Sequence, residues 1–284
     1  MNDSEAEIRN ISDTALWTAV YRARESERPD ANFRDPFARR LAGERGDAIA
    51  KSMSFGERAN WAWVARTVLF DQFILDCIQR GANMVINLAA GLDARPYRMA
   101  LPPALRWVEV DLPGILDYKE EILAGEKPAC SLERVRLDLA DVNARRELFA
   151  RLGAAAANAV AITEGLLIYL SAEDVGALAR DLAAQPKFRN WIVDIASPGL
   201  LRMLQKNVAP HLGHSGASLK FAPPEGPEFF ARHGWKAAEV RGMLKSAVGM
   251  RRLPLFMRML ALLPESNGKQ GGRPWSAVCR LEKQ

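Results

Sequence analysis

From Met84 onward the chain alternates short apolar runs with longer amphipathic stretches, a texture that the first eighty or so residues lack. The runs MVINLA (84–89), RWVEVD (106–111), RVRLDL (134–139), AVAITEG (159–165) and WIVDIA (191–196) have strand length. PGILDYKEEILAG (113–125), the segment 141–152 and SAEDVGALARDLAA (171–184) have helix length and lie between them. Alternation at this spacing predicts parallel βαβ units and an α/β, doubly wound, mostly parallel sheet. WKAAEVRG (235–242) and WSAVCRLEK (275–283) bring the strands to seven. Upstream, Ser12-Asp13-Thr14 caps a helix that runs to about Glu27, and Asp35-Pro36 opens a second. A third, from about Glu57 to Gln79, is apolar enough to pack on the sheet. The expected organisation is one domain over 1–284. It comprises a helical cap over 1–80, a sheet core over 81–196, and insertions with the last two strands over 197–284.

Charge and cysteine content narrow the classes. The net charge of +5 is uneven, because Lys236–Gln284 carries ten Lys and Arg against three Glu, leaving the rest slightly acidic. A basic C-terminal fifth attracts anions in general. It forms no dense run with interleaved aromatics, so no nucleic-acid partner is expected. Cys77, Cys130 and Cys279 lack C-x-x-C spacing and read as free thiols. With a polar, acidic first stretch MNDSEAEIRNISD and no apolar run long enough to span a bilayer, the expected location is cytoplasmic, without stable membrane insertion.

In open α/β sheets ligands bind at the carboxyl ends of the strands. The first strand ends in VINLAAGLDARPY (85–97), which has one glycine where a pyrophosphate loop has three. Asp111 follows Gly91 by twenty residues, the spacing from which a carboxylate reaches ribose hydroxyls. Asp138-Leu139 ends the third run and Thr163-Glu164-Gly165 the fourth. Asp93 and Arg95 can bond to each other and to the turn, with Pro96 in the first turn of the next helix.

The ordered set resembles the leucine carboxyl methyltransferase family, S-adenosylmethionine-dependent O-methyltransferases of Rossmann-like fold. The matching pieces are Tyr21-Arg22-Ala23-Arg24-Glu25, Asp35-Pro36-Phe37, Arg66 before Asp71, Asn87 to Tyr97, Glu109 to Pro113, Asp138-Leu139 and Glu164 to Leu170. The likeness runs from about residue 14 to about residue 183. It implies S-adenosyl-L-methionine as cofactor. Arg66 then faces the methionine carboxylate, Ala89 to Gly91 pass beneath methionine and ribose, and Asp111 holds the ribose diol. Asp138 and Leu139 take the adenine, and Glu164 lies near the ammonium or sulfonium end. Ala89 departs from the family's glycine. A cofactor without a pyrophosphate does not need helix-start amides, which accounts for the missing glycines.

The expected acceptor is a carboxylate or hydroxyl of a small, hydrophobic metabolite. The alternatives are a protein C-terminal carboxylate or, in another class, a non-catalytic nucleotide-binding or membrane-surface protein. No catalytic base and no metal site are assigned. Tyr169 either lines the acceptor pocket or packs, and Trp61 and Trp63 can cap the cleft. His211-x-x-His214 has metal-like spacing without a third ligand and reads as a surface loop. The apolar segment VGMRRLPLFMRMLALLP (248–264) can bury on the sheet, line a pocket, or rest on a membrane or another subunit.

Overall fold

The computed structural model describes residues 13–53, 59–208, 218–264 and 272–284. His211 and His214 fall outside these residues. The strands are β1 (Met84–Leu88), β2 (Arg106–Asp111), β3 (Ser131–Arg136), β4 (Ala159–Thr163), β5 (Phe188–Ala196), β6 (Trp235–Gly242) and β7 (Ser276–Lys283). They form one sheet in the order β3-β2-β1-β4-β5-β7-β6. β1 to β5 are parallel, and β7 runs antiparallel to both β5 and β6. Strand order reverses between β1 and β4, so the cleft at their carboxyl ends is where this topology places a ligand.

β1 and β4 are buried at every position because both faces of the sheet are covered. Odd and even residues go to opposite layers. Ile86, Val108, Ala161 and Val193 pack with Leu148 and Phe149 of α6 (Val142–Ala155) and Leu178 and Leu182 of α7 (Ala172–Ala183). Val85, Trp107, Val160 and Ile192 meet Leu69, Phe70, Phe73 and Ile74 of α3 (Asn60–Gln79), the helix expected to lie on the sheet. Truncating a ring as enclosed as Phe73 costs about 3–5 kcal/mol. Above the cleft, α1 (Asp13–Ser26) and α2 (Ala38–Ser52) form the N-terminal cap, with a kink in α2 where Gly43 takes φ +58°.

One expectation moves. The third strand lies three residues earlier than its apolar pattern suggests, because β3 pairs only with β2 and stops where Asp111 meets Arg136. Asp138 and Leu139 therefore sit in the turn before α6, which Asp141 caps by accepting from the Asn143 and Ala144 amides. The region after β5, rich in Pro and Gly, begins with the helix Pro198–Asn207, whose cap Ser197 accepts from the Leu200 amide. The segment 248–264 is divided between the end of the helix Met243–Gly249 and the helix Leu255–Ala261. Only Leu253 and Ala261 of that segment are buried, and none of its residues lines the large cavity described below.

Candidate active site

A cavity of about 590 Å³ opens at the carboxyl ends of β1, β2, β4 and β5. All eight residues singled out from the sequence line it: Arg66, Ala89, Gly91, Asp111, Asp138, Leu139, Glu164 and Tyr169. Their elements explain the convergence. Three sit in or just after β1, β2 or β4, two lie in the β3–α6 turn, one comes from α3, Ala89 follows β1 directly, and Tyr169 ends a 3₁₀ turn after β4.

The β1 turn is bent tightly. Ala89 holds φ +55° and Gly91 +49°, a left-handed region that disfavours a side chain. Asp111 closes this turn from the neighbouring strand: Oδ2 accepts from the Gly91 amide at 2.6 Å and Oδ1 from the Leu112 amide at 2.7 Å. Burial pushes the Asp111 pKa up, and the two amide bonds oppose that push. Each oxygen keeps a further lone pair with which it can accept a second hydrogen bond without disturbing the turn.

Asp93, Arg95 and Pro96 act as a brace. Arg95 is 2% exposed; its amide donates to Asp93 Oδ1 at 2.9 Å and its Nη1 to Asp93 Oδ2 at 2.8 Å. Asn87 Nδ2 also donates to Asp93 Oδ2, and Arg95 Nε to Asp71 Oδ1 at 2.6 Å. Burial works against ionising Asp93, but the Arg95, Lys119 and Arg98 cations overcome it and hold the pKa down to about 2. The distant family-like pieces meet here too. Arg22 Nη2 donates to the Leu92 carbonyl at 2.6 Å while its Nε bonds Asp35, and Asp71 also receives Arg98.

Arg66 does not pair with Asp71, its neighbour one turn further along α3. It crosses the cleft, with Nε 3.1 Å from Glu164 Oε1 and Nη1 3.4 Å from Asp194 Oδ2, and its guanidinium lies 4.6 Å from the Trp63 ring centroid. Glu164 is held on its other oxygen by Arg95 at 2.8 Å. Gly165 makes room for this arrangement, since a Cβ there would come within 3.1 Å of Arg66 Nη1 and its φ of +69° suits glycine. Asp194 Oδ1 accepts from the Gly165 amide at 2.7 Å. Burial raises the Asp194 pKa and nearby Glu164 adds to this, against the pull of Arg66 and the Gly165 amide.

Asp194 is the site residue that strand-end reasoning missed. The rule had been applied to the first four strands, yet the carboxylate inside WIVDIA carries the same signal at the fifth. Much of the remaining wall is apolar, with Trp17, Trp63, Leu204, Leu219 and Phe221 facing the cavity beside Tyr169. Burial pushes the Tyr169 phenol pKa up, against a hydrogen bond with Thr14 and the Arg66 charge, so Tyr169 is a neutral hydroxyl at neutral pH. Among the described residues no group of three or more His, Cys, Asp or Glu could hold a metal ion.

A family model for leucine carboxyl methyltransferase matches residues 15–183, more than half of the chain. The chain belongs to the leucine carboxyl methyltransferase family. A Parafrankia sp. (strain EAN1pec) relative, provisionally named an S-adenosyl-L-methionine-dependent methyltransferase, is 33% identical over 87% of this chain and 84% of its own. One from Streptomyces coelicolor, named likewise, is 30% identical over 91% and 92%. A solved methyltransferase-like structure from Thermobifida fusca shares the fold at TM-score 0.61 and 16% identity, covering 99% of this chain and 97% of that one. This member of the family is thus an S-adenosyl-L-methionine-dependent methyltransferase. The donor set suits that cofactor, because a zwitterionic amino-acid end needs both a cation and carboxylates, and Arg66, Glu164 and Asp194 supply both at one place.

Proposed function

We propose that this methyltransferase transfers a methyl group to a carboxylate or hydroxyl oxygen of a small, apolar metabolite. The observation that carries this reading is the cavity itself. It joins the carboxylate-and-arginine end to a wall of Trp17, Trp63, Leu204, Leu219 and Phe221, in a volume of about 590 Å³ suited to a cofactor and a compact acceptor.

When bound, S-adenosyl-L-methionine supplies an electrophilic methyl on a sulfonium. Asp111 holds the ribose diol with the lone pairs left by its two amide bonds. Ala89 to Gly91 let the ligand approach the backbone, and Asp138 with Leu139 flanks the adenine. Arg66 would pair the methionine carboxylate and Glu164 the ammonium, while Asp194 holds both Arg66 and the Gly165 turn. The apolar wall excludes water and aligns the acceptor oxygen, so positioning provides most of the acceleration. A carboxylate acceptor is ionised at neutral pH and needs no base. Tyr169, un-ionised there, orients the acceptor by a hydrogen bond instead. The three buried free thiols fit a reducing compartment, the cytoplasm.

The test is incubation of the purified enzyme with methyl-labelled cofactor and panels of apolar carboxylic acids and phenols, followed by mass spectrometry. Transfer to a small acid or phenol is expected, with mild alkali releasing the label from an ester but not from an ether. Asp111→Ala is expected to lose S-adenosylhomocysteine binding and transfer together. Label found only on protein would overturn the reading.

A further inference from the structure

The C-terminal insertion carries a feature that methyl transfer does not use. Among the described residues, six of the nine exposed large apolar side chains fall within residues 255–263: Leu255, Phe256, Met259, Leu260, Leu262 and Leu263. They are 47% to 84% exposed, and Leu255, Phe256, Met259 and Leu260 are neighbours at i, i+1, i+4 and i+5 on one face of the helix, the kind of contiguous apolar surface that marks interaction sites.

The patch is anchored from beneath. Met257 and Ala261 turn inward to the cluster that contains Trp61, Ala65 and Leu69 of α3. Just upstream, Arg252 is clamped by Glu25 at 2.8 Å and Asp30 at 3.0 Å, at the far end of α1. Asn32 Nδ2 donates to the Met250 carbonyl. The helix is thereby held on α3 by its inner face, and the turn before it is tied to the end of α1, with the apolar outer face turned to solvent.

Charge identifies the partner. The stretch 248–264 has no acidic residue, and Arg251 and Arg258 are both exposed beside the apolar side chains. A second copy of the chain is disfavoured, because a two-fold interface sets each patch against itself and would oppose these arginines with no acid from the stretch between them. Exposed Leu and Phe flanked by arginine are what an anionic bilayer surface takes up: apolar side chains enter the acyl boundary and cations stay among the head groups. No helix among the described residues is long and apolar enough to cross a membrane. We propose that the helix Leu255–Ala261, with Leu262 and Leu263, docks this enzyme peripherally on anionic membrane surfaces.

The experiment is co-sedimentation of the full chain with vesicles of phosphatidylcholine alone and of phosphatidylcholine mixed with phosphatidylglycerol. Two arginines at an anionic leaflet are expected to give roughly a thirty-fold preference for the mixed vesicles, weakening with added salt. The variant Leu255→Ser/Phe256→Ser/Leu260→Ser is expected to lose vesicle binding, and Arg251→Gln/Arg258→Gln to lose the anionic preference. Both should keep the thermal stability and S-adenosylhomocysteine affinity of the parent, because the altered side chains are exposed and outside the cavity. The proposal is overturned if the parent does not sediment with the mixed vesicles or if the serine variant sediments equally well. It is also overturned if size exclusion shows a dimer that the serine variant dissolves while vesicle binding is absent.

Discussion

The cavity and the helix Leu255–Ala261 are both apolar surfaces, yet they differ in what surrounds the apolar side chains. In the cavity the wall of Trp17, Trp63, Leu204 and Phe221 adjoins the carboxylates of Asp93, Glu164 and Asp194, which are held by Arg66 and Arg95. On the helix the apolar residues are exposed, and the charged residues of 248–264 are all arginines. A concave surface with convergent polar groups selects one ligand by geometry. A convex one without them offers area and charge, which suits an extended, fluid partner.

The contrast predicts that perturbation of the cavity propagates into stability, while perturbation of the helix does not. The largest effect is expected from Arg95→Met. It leaves Asp71, Asp93 and Glu164 without their shared buried cation, and stability in urea should fall by about 3–5 kcal/mol. A loss below about 1 kcal/mol would mean that the brace is replaceable.

The second effect depends on pH. The folded Asp93 pKa of about 2 lies below the unfolded value near 3.9, so its ionised form stabilises the fold fully above about pH 4. That contribution, on the order of 2 kcal/mol, is lost as pH falls towards 2. Asp111 and Asp194, raised by burial, work in the opposite sense, since the fold holds their protons more tightly than the unfolded chain does. Acid titrations of the parent and Asp93→Asn should therefore diverge above pH 4 and converge below it. Parallel curves would remove the electrostatic account of the brace.

Asp194→Asn is expected to act more mildly. It keeps the shape but weakens the hold on Arg66 and on the Gly165 amide, and S-adenosylhomocysteine binding by calorimetry should weaken about ten-fold. Because the charge near Arg66 changes, the pH dependence of that binding should shift as well, which a purely structural role would not cause. Smallest is Ala89→Gly. Relief of a left-handed alanine is partly offset by the freedom glycine has in the unfolded chain, leaving a gain below about 1 kcal/mol in thermal unfolding.

Much of this site was legible in the sequence because parallel strands put chemistry at their carboxyl ends. Asp111, Glu164 and the Ala89–Gly91 turn needed only strand periodicity and a twenty-residue spacing to be placed. Asp138 and Leu139 were found although the strand before them ends early, since a turn on the same sheet edge serves the same cleft. Other features needed three dimensions. Whether Arg66 would meet Asp71 or the far wall depended on how α3 lies across the sheet. The pairing of Arg22 with Leu92, seventy residues away, has no local signal at all.

The segment 248–264 shows the same limit from the other side. Its composition was compatible with a core, a pocket wall or a docking surface, since apolar content does not state which face a short helix turns inward. The sequence by itself determined the strand ends that meet at the cleft, through spacing along single elements, and the family with its cofactor, through the likeness of an ordered set of motifs. Tertiary structure alone decided that Asp194 joins Arg66, that Arg95 is shared by three carboxylates, and that six large side chains near the C-terminus face water. Those outcomes depend on which elements lie side by side, and packing of distant elements fixes that.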